Sequence, residues 1–65
     1  RAQLGALSER EREVANHVAT GAKTAQIASA LYVSESTVKS QLDSIRTKLG
    51  VSSREEIAVL VERAR

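Results

Sequence analysis

The chain has no cysteine, proline, tryptophan, phenylalanine or methionine, and Tyr32 is its single aromatic residue. Without cysteine there is neither a disulfide framework nor a thiolate metal site. Without large aromatics the core has to be built from Leu, Val, Ile and Ala, side chains that suit closely packed helices. The longest apolar runs are only a few residues, far short of the roughly 20 needed to span a bilayer, and nothing resembles a signal peptide. There is one histidine, His17, with no second ligand or nucleophile near it, so a surface or hydrogen-bonded role is expected of it. The three glycines are scattered and form no phosphate-cradling loop. A chain of 65 residues is also too small to enclose a deep pocket. Catalysis, a bound metal and a cofactor are therefore not expected. Ten Lys and Arg against eight Asp and Glu leave a net charge of +2. That balance permits a polyanionic partner without demanding one, and the basic residues form no block.

What is present is helical periodicity. The organising stretch is Ser34 to Gly50. Ser34 stands just ahead of an apolar-periodic run, the usual chemistry of an N-cap. Val38, Leu42, Ile45 and Leu49 then recur at steps of four, three and four, one stripe of a 3.6-period helix. Gly50 follows as the residue best able to take the left-handed conformation that ends a helix. On the other face Ser36, Thr37, Lys39, Ser40, Gln41, Asp43, Arg46, Thr47 and Lys48 are all polar and mostly short. Such a helix is either a solvated surface element or one that enters a groove, and the DNA major groove, roughly 12 Å wide, is of the right size.

The remaining elements frame it. Residues 1–6 read as a linker remnant of a longer chain. Ser8 and Glu11 fit a capping box for a helix over about 9–20, whose buried face carries Val14, Ala15, Val18 and Ala19 and which Gly21 ends. Ala25, Ile27, Ala28 and Leu31 mark a short helix over 24–31. Tyr32, expected to sit partly buried, leads with Val33 into Ser34. A short helix, a tight turn and a longer helix with a polar face make a helix-turn-helix, although the turn lacks the usual Gly. A last helix over 54–64 follows two overlapping capping boxes offered by Ser52 and Ser53 with Glu55 and Glu56. It turns Ile57, Leu60, Val61 and Ala64 inward. A second stripe, Glu55, Ala58, Val59 and Glu62, either widens the core face or forms a helix-on-helix dimer contact. The fold class expected is all-α, a compact four-helix bundle containing a helix-turn-helix.

Several fragments together resemble the LuxR-type helix-turn-helix domain, also called the GerE or FixJ type, of bacterial transcription regulators. They are Leu7-Ser8-Glu9-Arg10-Glu11-Arg12-Glu13-Val14, Gly21, Ile27-Ala28, Ser34-Glu35-Ser36-Thr37-Val38-Lys39 and Ile45-Arg46-Thr47-Lys48-Leu49-Gly50-Val51, followed by Ser52-Ser53-Arg54. The resemblance covers nearly the whole chain, with residues 7–65 as the domain. It implies sequence-specific binding of double-stranded DNA by the C-terminal effector domain of a regulator, with helix 35–49 in the major groove and a dimer on an inverted repeat. By resemblance Lys39, Ser40 and Asp43 face the bases, while Thr37, Gln41, Arg46 and Lys48 make backbone and flanking contacts. Ser36 and the helix N-terminus donate to phosphate, and Lys23, Thr24 and Ser34 complete the DNA-binding set. The partners implied are double-stranded DNA, a second copy through the last helix (Glu55, Ala58, Val59, Glu62) and RNA polymerase in the full-length regulator. The location implied is the bacterial cytoplasm, at the nucleoid, with no membrane association.

Two departures from the family pattern stand out. Lys23-Thr24-Ala25-Gln26 replaces the usual Ser or Thr cap followed by Asn and Lys, so the cap has moved to Thr24 or been lost, and Lys23 takes over the phosphate-facing charge. Asp43 places a carboxylate where many relatives carry a basic or neutral residue. It is either a specificity element that accepts from cytosine N4 or a salt-bridge partner of Lys39 or Arg46; Arg46 has Glu35 as a second choice. Four cations, Lys23, Lys39, Arg46 and Lys48, would give a log–log salt slope on the order of −3 to −4 per monomer. A helical interaction or dimerisation module on the same scaffold is the alternative function.

Overall fold

Serine starts three of the four helices. A computed structural model describes residues 5–64 and places α1 at Glu9–Ala19, α2 at Thr24–Leu31, α3 at Glu35–Leu49 and α4 at Arg54–Arg63. No strand occurs among the described residues. The expected boundaries hold to within one residue. Most of the linker assigned to residues 1–6 lies outside the described residues; Gly5 and Ala6 form a short 3₁₀ turn leading to the buried Leu7.

Each serine cap works by giving its hydroxyl to an otherwise orphaned N–H of the first turn. Ser8 Oγ accepts from Glu11 N at 3.2 Å, and Glu11 Oε1 accepts in return from Ser8 N at 2.9 Å. Ser34 Oγ accepts from Thr37 N at 3.1 Å. Ser53 Oγ accepts from Glu56 N at 3.2 Å, with Glu56 reaching back to Ser53 N. Only one box forms here, not two overlapping ones. Ser52 also donates to Glu56, at 2.8 Å through its N–H, because one carboxylate already satisfies both serines.

α2 starts differently. Lys23 is its N-cap, and Gln26 Oε1 closes the turn by accepting from Lys23 N at 2.8 Å. The cap has not moved to Thr24. That hydroxyl instead accepts from Arg54 Nη1 at 3.1 Å, while Arg54 Nη2 reaches Ala22 O at 2.9 Å. One guanidinium thus ties the start of α4 to the loop between α1 and α2.

α2 and α3 end alike. After α3, Gly50 takes φ +68° and Val51 N donates to Arg46 O at 3.0 Å. After α2, Tyr32 takes φ +59° and Val33 N donates to Ala28 O at 3.0 Å. Both are six-to-one closures built on a left-handed residue. The turn of the helix-turn-helix therefore has the conformation Gly would favour, with tyrosine adopting it. Tyr32 was expected to be partly buried, yet its side chain is 95% exposed. The left-handed backbone turns the ring to solvent, and Val33 covers the corner instead.

The core is wholly aliphatic. Val14, Ala15 and Val18 of α1 meet Ile27 and Ala28 of α2, the stripe of α3, and Ile57 and Val61 of α4, with Leu7 closing the top. α1 packs along α4 and α3, and α2 packs on α3. Ala25 and Ala64, expected to face inward, are exposed, and Leu60 is half-buried. Helices of only two or three turns bury a narrower stripe than their apolar residues would allow, and Ala64 falls beyond the last turn of α4.

Replacing Tyr32 by Gly should remove left-handed strain without losing packing. Thermal or urea unfolding should show a gain of about 0.5–1 kcal/mol, the strain relieved less the extra entropy of Gly in the unfolded chain. A loss of stability would mean that the ring supports the turn.

Candidate nucleic-acid interface

At about 100° per residue, the buried stripe of α3 fixes where every polar side chain goes. Opposite Val38, Leu42, Ile45 and Leu49 lie Ser36, Ser40, Asp43 and Thr47. Lys39 and Arg46 stand on one shoulder of the helix, and Thr37, Gln41, Ser44 and Lys48 on the other. Ser36, Lys39, Ser40, Asp43 and Thr47 are all exposed. The outer arc is therefore short, polar and unobstructed, with one long cation at its edge.

Several candidate side chains already have partners. Asp43 forms an ion pair with Arg46, one of the two alternatives its position left open. Thr47 Oγ1 donates to Asp43 O at 3.0 Å, which steadies the same turn. Ser34 and Thr37 share their hydroxyls at 3.0 Å, in addition to the cap. Gln41 is half-buried, and its Oε1 is enclosed without a hydrogen-bond partner. Lys48 pairs with Glu11 at 2.8 Å. Among the described residues Lys23 and Lys39 form no ion pair, so they are the cations of the set with their charge free. Lys23 lies at the start of α2, beside Thr24 and the Arg54 tie.

Glu11 is the feature that sequence reasoning underestimated. It was legible as a capping residue, but it also accepts from Ser44 Oγ at 2.8 Å and from Lys48 Nζ at 2.8 Å. These bonds, the Lys48 one foremost and the Ser8 N–H next, hold its carboxyl down to about 2 against the opposing effect of burial. Glu56 is shifted in the same direction by its serine donors. The Arg54 tie was also missed. No local spacing rule connects residue 54 to residue 22, since both contacts form only once the helices pack.

On α4, Glu55 and Glu62 are exposed, Ala58 is half-buried, and Val59 keeps 49% of its surface. Val59 thus lies at the surface, while Ala58 packs against the core. His17 is half-buried on α1, and among the described residues no group of three His, Cys, Asp or Glu could hold a metal ion. No helix is long and apolar enough to cross a membrane.

A family model described as bacterial regulatory proteins, luxR family, matches residues 5–61. The chain is 52% identical over 48 residues to the probable transcriptional regulatory protein NarL of Mycobacterium tuberculosis, covering 74% of this chain and 22% of that one. It is 42% identical over 57 residues to a nitrate/nitrite response regulator protein homolog of Haemophilus influenzae, covering 88% and 27%. To the spore germination protein GerE of Bacillus subtilis it is 40% identical over 53 residues, covering 82% and 72%. The chain thus spans about a quarter of the first two relatives. No solved structure matches it significantly.

The Glu11 cluster makes stability depend on acid. Its folded pKa of about 2 lies below the ordinary value of 4.5, so the contribution is complete above about pH 4.5 and is lost as pH falls toward 2. Urea unfolding across that range should show stability falling with pH. Glu11→Gln should be less stable at neutral pH by roughly 1–3 kcal/mol and show a flatter dependence below pH 4.5. A parallel pH curve for the variant would remove Glu11 as the cause.

Proposed function

The chain belongs to the luxR family of bacterial regulatory proteins, as a DNA-binding helix-turn-helix domain of transcription regulation, and from that premise we propose that α3 reads double-stranded DNA in the major groove. The observation that carries the proposal is the arc of short polar side chains on α3, set opposite a fully buried stripe and braced by α2. A helix held this way presents base-reading groups without moving its backbone, and α2 crosses the phosphates beside it.

Within this reading Lys39, Ser40 and Asp43 face bases. Lys39 carries the largest share, since lysine donates well to guanine O6 and N7. Ser36 and the α3 N-terminus serve phosphate oxygens, with Ser34 and Thr37 shaping that end. Lys23 supplies charge at the start of α2 with Thr24 beside it, and Arg46 and Gln41 flank the bases. Arg46 has to leave Asp43 to meet a phosphate. An exposed ion pair is worth only about 0–1 kcal/mol, so the exchange costs little.

So few free cations give a modest affinity, which makes pairing useful. Two copies joined through Glu55, Ala58, Val59 and Glu62 would place two α3 helices on an inverted repeat. In the full-length regulator the domain would act at the nucleoid, in the cytoplasm, with RNA polymerase as a further partner.

Titrating a random duplex against salt should give a log–log slope of about −2 to −3 per monomer, from Lys23, Lys39 and Arg46. Lys39→Ala should lower affinity for a preferred duplex by roughly 1–3 kcal/mol. Absence of binding by both proteins at low salt would favour a protein-interaction module instead. Val59→Lys should weaken binding to a two-site duplex while leaving the helical circular-dichroism signal intact. Unchanged two-site binding would place the dimer contact elsewhere.

A further inference from the structure

Lys48 and Ser44 lie about 180° and 140° around α3 from Lys39, on the shoulder turned toward α1, and both end on a single carboxylate. Lys48 Nζ donates to Glu11 Oε1 and Ser44 Oγ to Glu11 Oε2, each at 2.8 Å. Oε1 also takes the Ser8 N–H at 2.9 Å, so the carboxylate is held from its own helix as well. Glu11 is the one charged residue buried in the core region among the described residues, at 8% exposure.

From this geometry we infer that Glu11 is a positioning residue for the reading face of α3, with Lys48 and Ser44 as its grips. The inference rests on the DNA-binding reading and deepens it. The aliphatic stripe holds α3 against the core but is tolerant of rotation, because apolar contacts carry no direction. Hydrogen bonds near 2.8 Å do. Two donors one turn apart, each on a different oxygen, fix both the rotation of α3 about its axis and its slide along α1. With side chains reaching about 5–6 Å from the axis, a 20° rotation moves their tips by about 2 Å. That displacement is enough to unmake the paired hydrogen bonds by which a lysine or carboxylate selects a base.

Lys48 accordingly serves selectivity and not phosphate neutralisation. Its charge is matched by Glu11, and its stem points to the side of α3 away from Lys39. A phosphate contact would raise affinity for all sequences alike and would release a counterion. A positioning contact does neither, so the two roles separate experimentally.

The test compares the wild-type chain with Lys39→Ala, Glu11→Gln, Lys48→Gln and Lys48→Arg. Each is titrated on a duplex selected from a random pool by the wild type and on a random duplex, over a range of salt. Glu11→Gln and Lys48→Gln should lower the selected-to-random affinity ratio about 5–10-fold, with salt slope and far-ultraviolet circular dichroism unchanged. Lys48→Arg, which keeps the ion pair, should retain the ratio. Should Glu11→Gln fail to fold, Lys48→Gln decides alone, since it leaves the Ser8 and Ser44 bonds of Glu11 in place. A slope shallower by about one with both duplexes weakened equally would make Lys48 a phosphate contact and overturn the inference. An unchanged ratio would reduce the cluster to a stabiliser of the fold. Loss of base reading in Lys39→Ala alone would keep the DNA-binding assignment while rejecting this one. A wild type that binds neither duplex at low salt would reject both.

Discussion

Burial of Val38, Leu42, Ile45 and Leu49 is the interaction on which the rest of the domain depends. Val38 and Ile45 are wholly enclosed, and the stripe touches the inner faces of the helices that surround it. With no aromatic residue inside, no other part of the chain supplies comparable contact. Truncating one such residue to Ala costs about 2–5 kcal/mol, against a total of about 5–15 kcal/mol for a typical domain. One arc of α3 is therefore committed to the fold. The opposite arc is constrained only to be polar, so its chemistry is available to a partner.

Charge is distributed by the same logic. Four of the described cations lean on the protein itself: Arg10 on Glu13, Arg46 on Asp43, Lys48 on Glu11, and Arg54 on Ala22 O and Thr24, with Arg10 also reaching Leu31 O. Arg10, Lys48 and Arg54 join separate elements, helices too short to be stable alone, while Arg46 pairs within α3. Net charge of +2 thus overstates what is free to meet an anion. On the DNA-binding reading it is the position of Lys23 and Lys39, rather than the total, that counts.

Element type and order were legible because three serine caps, two glycine stops and four apolar stripes all point to the same four helices. The exposed polar arc of α3 followed from the stripe opposite it. What the sequence concealed had two causes. The left-handed turn at Tyr32 carries none of the Gly or Asn chemistry that marks such a position, so only the backbone discloses it. The Glu11 and Arg54 ties join residues thirty or more positions apart, and no periodicity encodes a contact that exists only after packing. Glu11 was hidden for a further reason: its capping-box role accounted for it so well that nothing remained to be explained.

Asp43 shows how the local and global arrangements meet. It sits in the outer arc of α3, where a carboxylate opposes a phosphate backbone, yet its ion pair with Arg46 is largely exposed and weakly held. On the DNA-binding reading, a phosphate draws Arg46 away and leaves Asp43 facing the groove with a bare charge. Beside cytosine N4 that charge finds a donor; beside a carbonyl oxygen or another acceptor it finds none. The wrong base then costs an unpaired carboxylate, while the right one restores the lost partner. Selectivity obtained by penalising alternatives needs little extra affinity, which is consistent with a surface that keeps so few of its cations free. It does need the helix to be held at a fixed rotation, because a carboxylate that can swing aside penalises nothing. The grip of Glu11 on the far side of α3 and the exposed acid on its near side are in this sense one arrangement.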